Sequence, residues 1–349
     1  MRPQAPTILL SAVLSFAAAQ NQTGSGFLGR VNPATRELSW PASGIALSFT
    51  GTYAKVPITA QWGDTSIEMV VDNGAPLVID NVSGASIDTP AGLQSGAHTV
   101  EIRKKSEAYF GSLYLGEPST DGTFTALKTP PRRMELIGDS ITVGYGLEGV
   151  YPCTNAADNE GATLTYGALT AKNLSADYSI VAWSGKGLTR NYVSSTPDTS
   201  PLMPELWTRY GANDADDSYD FSTPVDIVVI NLGTNDFSFQ DGVRGQLDVA
   251  NFTTALVTFA NTVHTKYPAA TMFILSSPLL DNSTAEMQKA KQQSAIQTAI
   301  SQLAFPAHFV DIPTQDSSNN NIGCDYHPSA LTHQEMAVTL TNAIEDVLG

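Results

Sequence analysis

The sequence predicts an α/β protein: a doubly wound parallel-sheet domain over 134–349, preceded by an all-β sandwich domain over 26–127. Three observations carry this. Residues 26–127 alternate apolar and polar positions in short runs, broken by turn residues about every 8–12 positions, with no long segment of helical period. After Met134 the texture changes to short, nearly continuous apolar runs, which fit parallel strands buried on both faces. Helical segments separate those runs, and such alternation builds a sheet covered by helices.

Taken from the N-terminus, "MRPQAPTILLSAVLSFAAAQ" predicts a secretory signal peptide over 1–19. One arginine precedes an apolar run, and Ala17, Ala18 and Ala19 supply a small-residue cleavage site. The run from Ile8 to Ala19 has 12 residues, short of the ~20 that span a bilayer. A secreted, extracellular protein is expected. Five Asn-X-Ser/Thr sequons, at Asn21, Asn81, Asn173, Asn251 and Asn282, are then candidates for glycosylation. The two cysteines, Cys153 and Cys324, are expected to be bridged in an oxidising compartment. Five histidines and two thiols without ligand-like spacing predict no metal site, and no cofactor is expected.

The 349 residues carry a net charge of -16 and are 42% hydrophobic. That is globular composition with enough apolar material for a sizeable core. Nucleic acid and anionic membranes call for a basic surface, so neither is expected as partner; the charge suits a soluble protein acting on neutral or cationic matter, and a monomer is expected.

Within the front domain, "GIALSFTGTYAKVPITAQWG" alternates around a Gly-Thr turn, and "SIEMVVDNGAPLVID" holds an Asp-Asn-Gly turn between apolar runs. "GAHTVEIRKKS" and "YFGSLYLGE" repeat the pattern. The polar "GEPSTDGTFTALKTPPRR" follows, and residues 128–133, with Pro130-Pro131, read as a linker. Buried strands are predicted in "RRMELIG", "YSIVAWSG", "VDIVVINLGTND", "TMFILSSP" and "HFVDI". Helices are predicted in "LTYGALTAKNL", "NFTTALVTFANTVHTKY", "TAEMQKAKQQSAIQTAISQL" and "SALTHQEMAVTLTNAIEDVL".

Four short motifs lie at strand ends or just before the last helix. Gly138-Asp139-Ser140 puts a serine at a strand-to-helix turn, exposed at the sheet rim with its N–H at a helix start. That serine is either a nucleophile or a helix cap. Gly185 in "WSGKGL" allows an oxygen to approach a backbone N–H closely. Asn235 in "NLGTND" can aim an amide at a developing oxyanion. His327 in "CDYHPSALTHQEMA" suits a general base, with Pro328 placed for a helix's first turn. The remaining histidines, His98, His264, His308 and His333, fall in strand-like or helical pattern and read as structural. Asp139 and Asp236 read as turn and loop hydrogen-bonding acids.

The order Ser, Gly, Asn, His, in blocks spanning Met134 to Gly349, resembles the SGNH (GDSL) hydrolase superfamily. With "GDSITVGYG", "SGKG", "GTND" and "DYHPS" behind a β-sandwich, the chain resembles carbohydrate esterase family 2. The resemblance implies an SGNH-type, flavodoxin-like parallel sheet behind a jelly-roll sandwich. It implies Ser140 as nucleophile, His327 as base, and an oxyanion hole of the Ser140 N–H, the Gly185 N–H and the Asn235 side chain. It also implies an acetylated polysaccharide or oligosaccharide, such as plant xylan or glucomannan, as substrate. A lipase or thioesterase on longer acyl chains, and a non-catalytic carbohydrate-binding protein, stand as alternatives.

One position departs from the superfamily pattern. The acid three residues before the base is replaced by Cys324, and the aspartate is Asp325, two before His327. Asp325 is therefore a candidate third catalytic residue; the resemblance to carbohydrate esterase family 2 implies, as the alternative, a dyad whose base is oriented by a backbone carbonyl. If Cys324 pairs with Cys153, the long enclosed loop is worth roughly 4 to 5 kcal/mol in the chain-entropy model. Tyr326 and Trp183 are candidate sugar-stacking residues, with Trp207 and Trp40 as further candidates.

Overall fold

Period-2 alternation in the front segment builds two antiparallel sheets. One runs in the order Ser25–Leu28, Gly44–Gly51, Gly96–Lys104, Ile67–Val71, Leu77–Ile79, with Thr123–Phe124 also pairing on Gly44–Gly51. The other runs Ser119–Thr120, Ala54–Gly63, Gly111–Leu115, Glu37–Leu38, with Ser86–Asp88 also on Ala54–Gly63. Inward positions of both sheets, among them Ile45, Leu47 and Phe49 against Val56, Leu113 and Leu115, share one core. The Asp-Asn-Gly turn forms as the sequence predicts. Asp72 and Asn73 adopt φ of 53° and 57°, and the Gly74 N–H donates to the Val71 carbonyl at 2.8 Å. The computed structural model of the chain describes residues 24–349 apart from 216, 240–242 and 319–320. The predicted signal peptide and the Asn21 sequon lie outside the described residues.

Residues 125–132 run without strand or helix into the second unit. There, five parallel strands lie in the order Asp177–Ala182, Arg133–Gly138, Ile227–Asn231, Thr271–Leu275, Ala307–Val310. In chain sequence this is 2-1-3-4-5. The strands are apolar on both faces because both are covered. Ile137, Val181, Val228, Ile230, Met272 and Ile274 pack towards the helices Val249–Lys266 and Gln288–Ser301. Leu136, Ile180, Val229, Phe273 and Leu275 pack towards Tyr166–Asn173 and Ala330–Leu348. The chain leaves Arg133–Gly138 for one neighbour and returns to the other, so that strand's carboxyl end is the switch point where such sheets open a crevice.

The helix ends follow local chemistry. Asp248 caps Val249–Lys266 by accepting from the Ala250 and Asn251 N–H groups at 3.0 and 3.3 Å. Ser329 caps the last helix, accepting from the Thr332 N–H at 3.4 Å. Pro328 is therefore not in the first turn, correcting the expectation. It precedes the cap and bridges to Ile322 instead, because the Ser329 hydroxyl caps a helix that starts only at Ala330.

Candidate active site

The strand Arg133–Gly138 delivers Ser140 to the switch point as the first residue of the short helix Ser140–Val143. A Cβ on Gly138 would lie 2.0 Å from Thr142 Oγ1 and 3.1 Å from the Asn231 carbonyl oxygen, so only glycine fits this turn. Asp139 is the cap, its carboxylate accepting from the Ile141 N–H at 3.1 Å. Burial pushes that carboxyl up to about 7. The next strand, Asp177–Ala182, ends just before Gly185, which turns at φ of 78°. Asn235 follows Ile227–Asn231, and its Nδ2 donates to the Lys186 carbonyl at 2.8 Å and, more weakly, to Asp139 Oδ2 at 3.4 Å. Asp236 accepts from the Leu188 N–H, the Thr189 N–H and hydroxyl, and the Arg190 N–H, at 2.6–3.1 Å. Both acids thus do the turn and loop bonding expected of them.

His327 comes from the opposite end of the chain. Its Nε2 faces Ser140 Oγ at 2.9 Å, and its Nδ1 faces the backbone carbonyl of Asp325 at 3.2 Å. Asp325 sits in the left-handed region, φ 49° and ψ 38°, which turns its carbonyl to the ring and its carboxylate away. The carboxylate accepts instead from the Tyr145 hydroxyl and the Asn155 N–H, both at 2.9 Å. Asp325 is therefore not the side-chain partner of the base, and the arrangement is a Ser-His dyad with a carbonyl as third member. A carbonyl only accepts, so the imidazole proton resides on Nδ1 and Nε2 presents a lone pair to the serine. The Tyr145 ring lies against the imidazole, centroids 4.1 Å apart. Burial pushes His327 down to about 4, so the ring is neutral at pH 7.

Ser140, Gly185, Asn235, His327, Trp183 and Asp325 line one cleft of about 820 Å³, to which the front unit adds Glu107, Tyr109 and Phe110. Tyr326 stands apart from this lining. It is 55% exposed, and its ring packs on Tyr151 at 4.3 Å. Trp40 and Trp207 are fully buried and make no platform. Trp207 is held among Phe221, Phe259 and Tyr267. The other histidines are structural. His333 accepts from the Tyr166 N–H at 3.1 Å, His98 pairs with Asp72, and His264 and His308 stack on Phe305 and Phe273. Asn81, Asn173, Asn251 and Asn282 are exposed.

Two family models match consecutive parts of the chain: the carbohydrate esterase 2 N-terminal domain over residues 27–130, and the GDSL-like lipase/acylhydrolase family over 136–335. A carbohydrate esterase family 2 enzyme with a carbohydrate-binding domain, from Corynascus thermopiles (Myceliophthora fergusii), superposes with a TM-score of 0.90. It is 52% identical, over 93% of this chain and 99% of that one. The chain belongs to carbohydrate esterase family 2. Among curated relatives of this family 2 chain, an acetylxylan esterase/glucomannan deacetylase of Cellvibrio japonicus is 29% identical, over 98% of this chain and 96% of that protein. The cellulase/esterase CelE of Acetivibrio thermocellus is 34% identical over 91% of this chain, which spans only 38% of that protein's length.

The family 2 chain carries the Cys153–Cys324 disulfide, closing a separation of 171 residues. Around it, the Cys324 N–H donates to the Gly146 carbonyl and the Asp325 N–H to the Cys153 carbonyl, each at 3.0 Å. The bridge so ties the loop after Ser140 to the loop of His327. Replacing both cysteines by serine is expected to cost up to about 5 kcal/mol of unfolding free energy, and to lower turnover as the His327 loop loosens. Urea unfolding and ester hydrolysis of the two proteins check this; two free thiols titrated in the native protein would sink it. Tyr145, Asn155 and Glu107 were not singled out in the sequence. Tyr145 alone left a signal, standing between Gly144 and Gly146 in the nucleophile block.

Proposed function

We propose that the chain is a secreted serine esterase that removes O-acetyl groups from plant cell-wall polysaccharides, xylan and glucomannan among them, and works as a monomer. The observation that carries it is the 2.9 Å approach of His327 Nε2 to Ser140 Oγ with Nδ1 held by a carbonyl. Ser140 Oγ attacks the acetyl carbonyl carbon while its proton passes to Nε2. The tetrahedral oxyanion is met by the Ser140 and Gly185 N–H groups and by the Asn235 amide proton only weakly engaged with Asp139. The imidazolium then protonates the sugar oxygen as the acyl C–O bond breaks, leaving acetyl-Ser140. A water deprotonated by His327 attacks that ester and releases acetate. In the same reading the front unit is a jelly roll, the parallel sheet is flavodoxin-like, and the exposed sequons carry glycans.

Activity in this mechanism needs neutral His327, so it falls as pH drops through the imidazole pKa. With that pKa at about 4, against an ordinary value of about 6.5, kcat/KM is expected to hold from pH 7 down to pH 5 and to fall roughly tenfold per unit below about 4. A pH profile on a soluble acetyl ester checks this; an acid limb centred at 6.5 contradicts it.

The substrate class is tested by acetate release from acetylated xylan and glucomannan, set beside rates on acetyl and octanoyl nitrophenyl esters. Acetate release with acetyl strongly preferred supports the proposal. Faster turnover of the octanoyl ester selects a lipase or thioesterase, and binding without release selects a carbohydrate-binding protein.

A further inference from the structure

Glu107 reaches the cleft from the front unit, just past the strand Gly96–Lys104. It is 1% exposed, an unusual place for a carboxylate that is not part of the dyad. Its Oε2 accepts from the Ser184 N–H at 2.9 Å, the peptide next to Gly185. Its own backbone N–H donates to Glu160 Oε2. Glu160 Oε1 in turn accepts from Asn155 Nδ2 at 2.7 Å, and the Asn155 N–H donates to the Asp325 carboxylate at 2.9 Å. Asn155 Oδ1 also accepts from the Gly146 N–H at 2.7 Å. One residue of the front unit is therefore bonded directly to the oxyanion loop, and through two more residues to the loop that orients the base.

The geometry points to Glu107 as a positioning residue: its carboxylate fixes the Ser184 peptide so that the Gly185 N–H stays aimed into the cleft. This rests on the dyad esterase reading above. The physical reason is one of tolerance. An oxyanion donor is worth its full effect only within a few tenths of an ångström of where the charge develops. The Trp183–Lys186 turn carries a left-handed glycine; the Tyr192 N–H and Asn235 Nδ2 hold the carbonyls of Gly185 and Lys186 at 2.7 and 2.8 Å, and Glu107 holds the Ser184 N–H on the other side of the glycine. Among the described residues, the Gly185 N–H has no acceptor. Behind Glu107, Lys104 is fully buried, and its Nζ donates to the Glu107 carbonyl at 2.8 Å. Burial pushes Lys104 down to about 7 against the opposing pull of Glu160, Glu107 and Glu37, and burial pushes both Glu107 and Glu160 up. The sandwich unit is on this view part of the catalytic apparatus.

Two substitutions separate position from mere packing. Glu107→Gln keeps an oxygen acceptor for the Ser184 N–H at the same reach. Glu107→Asp keeps the charge but withdraws it by one methylene. Positioning predicts that the Gln variant keeps kcat within about fivefold, and that the Asp variant loses tenfold or more in kcat with KM changed less than threefold. Affinity for a boronate transition-state analogue should fall in parallel with kcat/KM in the Asp variant. Parent kcat in the folded Asp variant, or a loss carried by KM alone, overturns the role. So does equal loss in both variants together with a lowered unfolding midpoint, which marks a structural carboxylate. Ser140→Ala run alongside keeps the two readings apart: an active Ser140→Ala protein overturns the esterase mechanism, whereas an inactive one with unaffected Glu107 variants overturns only the positioning role.

Discussion

Ser140→Ala and His327→Ala are each expected to remove about four to six orders of magnitude in kcat, while Asp325→Asn stays within about tenfold of the parent. The first pair acts as a unit, so the double variant should be no slower than either single one. The contrast with Asp325 comes from which oxygen touches the ring. In a triad, an aspartate-to-asparagine change costs about 10⁴ because the amide favours the wrong tautomer. Here Nδ1 is held by the Asp325 carbonyl at 3.2 Å, and a side-chain change leaves that acceptor in place. Asparagine also tolerates the left-handed backbone that Asp325 adopts at φ 49°. Its Oδ1 still accepts from Tyr145 and Asn155, so the loop keeps its anchors. Turnover of nitrophenyl acetate by the three variants measures this directly. A thousandfold loss in a stably folded Asp325→Asn protein would falsify the dyad.

The parts of the site that were legible in the sequence share one property: each follows a run whose burial is itself legible. Ser140, Gly185 and Asn235 stand just beyond apolar stretches that could only be interior strands, and parallel sheets collect such positions at one edge. His327 was legible through the block before the last helix. Side-chain direction was not. A shift of one residue moved the acid out of its usual place, and only the backbone conformation of Asp325 shows that the carbonyl takes over. Trp40 and Trp207 went wrong for a related reason. An indole has the same chemistry on a sugar platform as in a core, and burial alone decides between them. Glu107 was invisible because its partner Ser184 is 77 residues away and in the other unit. No local pattern marks a contact made only when two units pack together.

That packing has an energetic centre remote from the cleft, and Arg30→Met is expected to lower the unfolding free energy by about 3–5 kcal/mol with kcat of the folded protein unchanged. Arg30 follows the first strand of the front unit and is 2% exposed. Its Nη2 donates to Glu135 Oε1 and Oε2 at 3.1 and 3.0 Å. Its Nη1 donates to the carbonyls of Trp207 and Arg209, and the guanidinium lies over the Tyr219 ring at 3.7 Å. Glu135, in the first parallel strand of the second unit, is also buried and accepts from Trp207 Nε1 at 2.6 Å and the Tyr267 hydroxyl at 3.2 Å. Losing the arginine leaves a buried carboxylate with two neutral donors and strands two carbonyls, which is why the single change costs so much more than a surface pair. Arg30→Met/Glu135→Leu removes both charges but leaves the Trp207 N–H and Tyr267 O–H without an acceptor, at roughly 1–3 kcal/mol each. The double variant should therefore still fall short of the parent. Urea unfolding of the single and double variants measures both terms. A loss under about 1 kcal/mol for Arg30→Met means that the two units are held by apolar packing, with the ion pair a passenger.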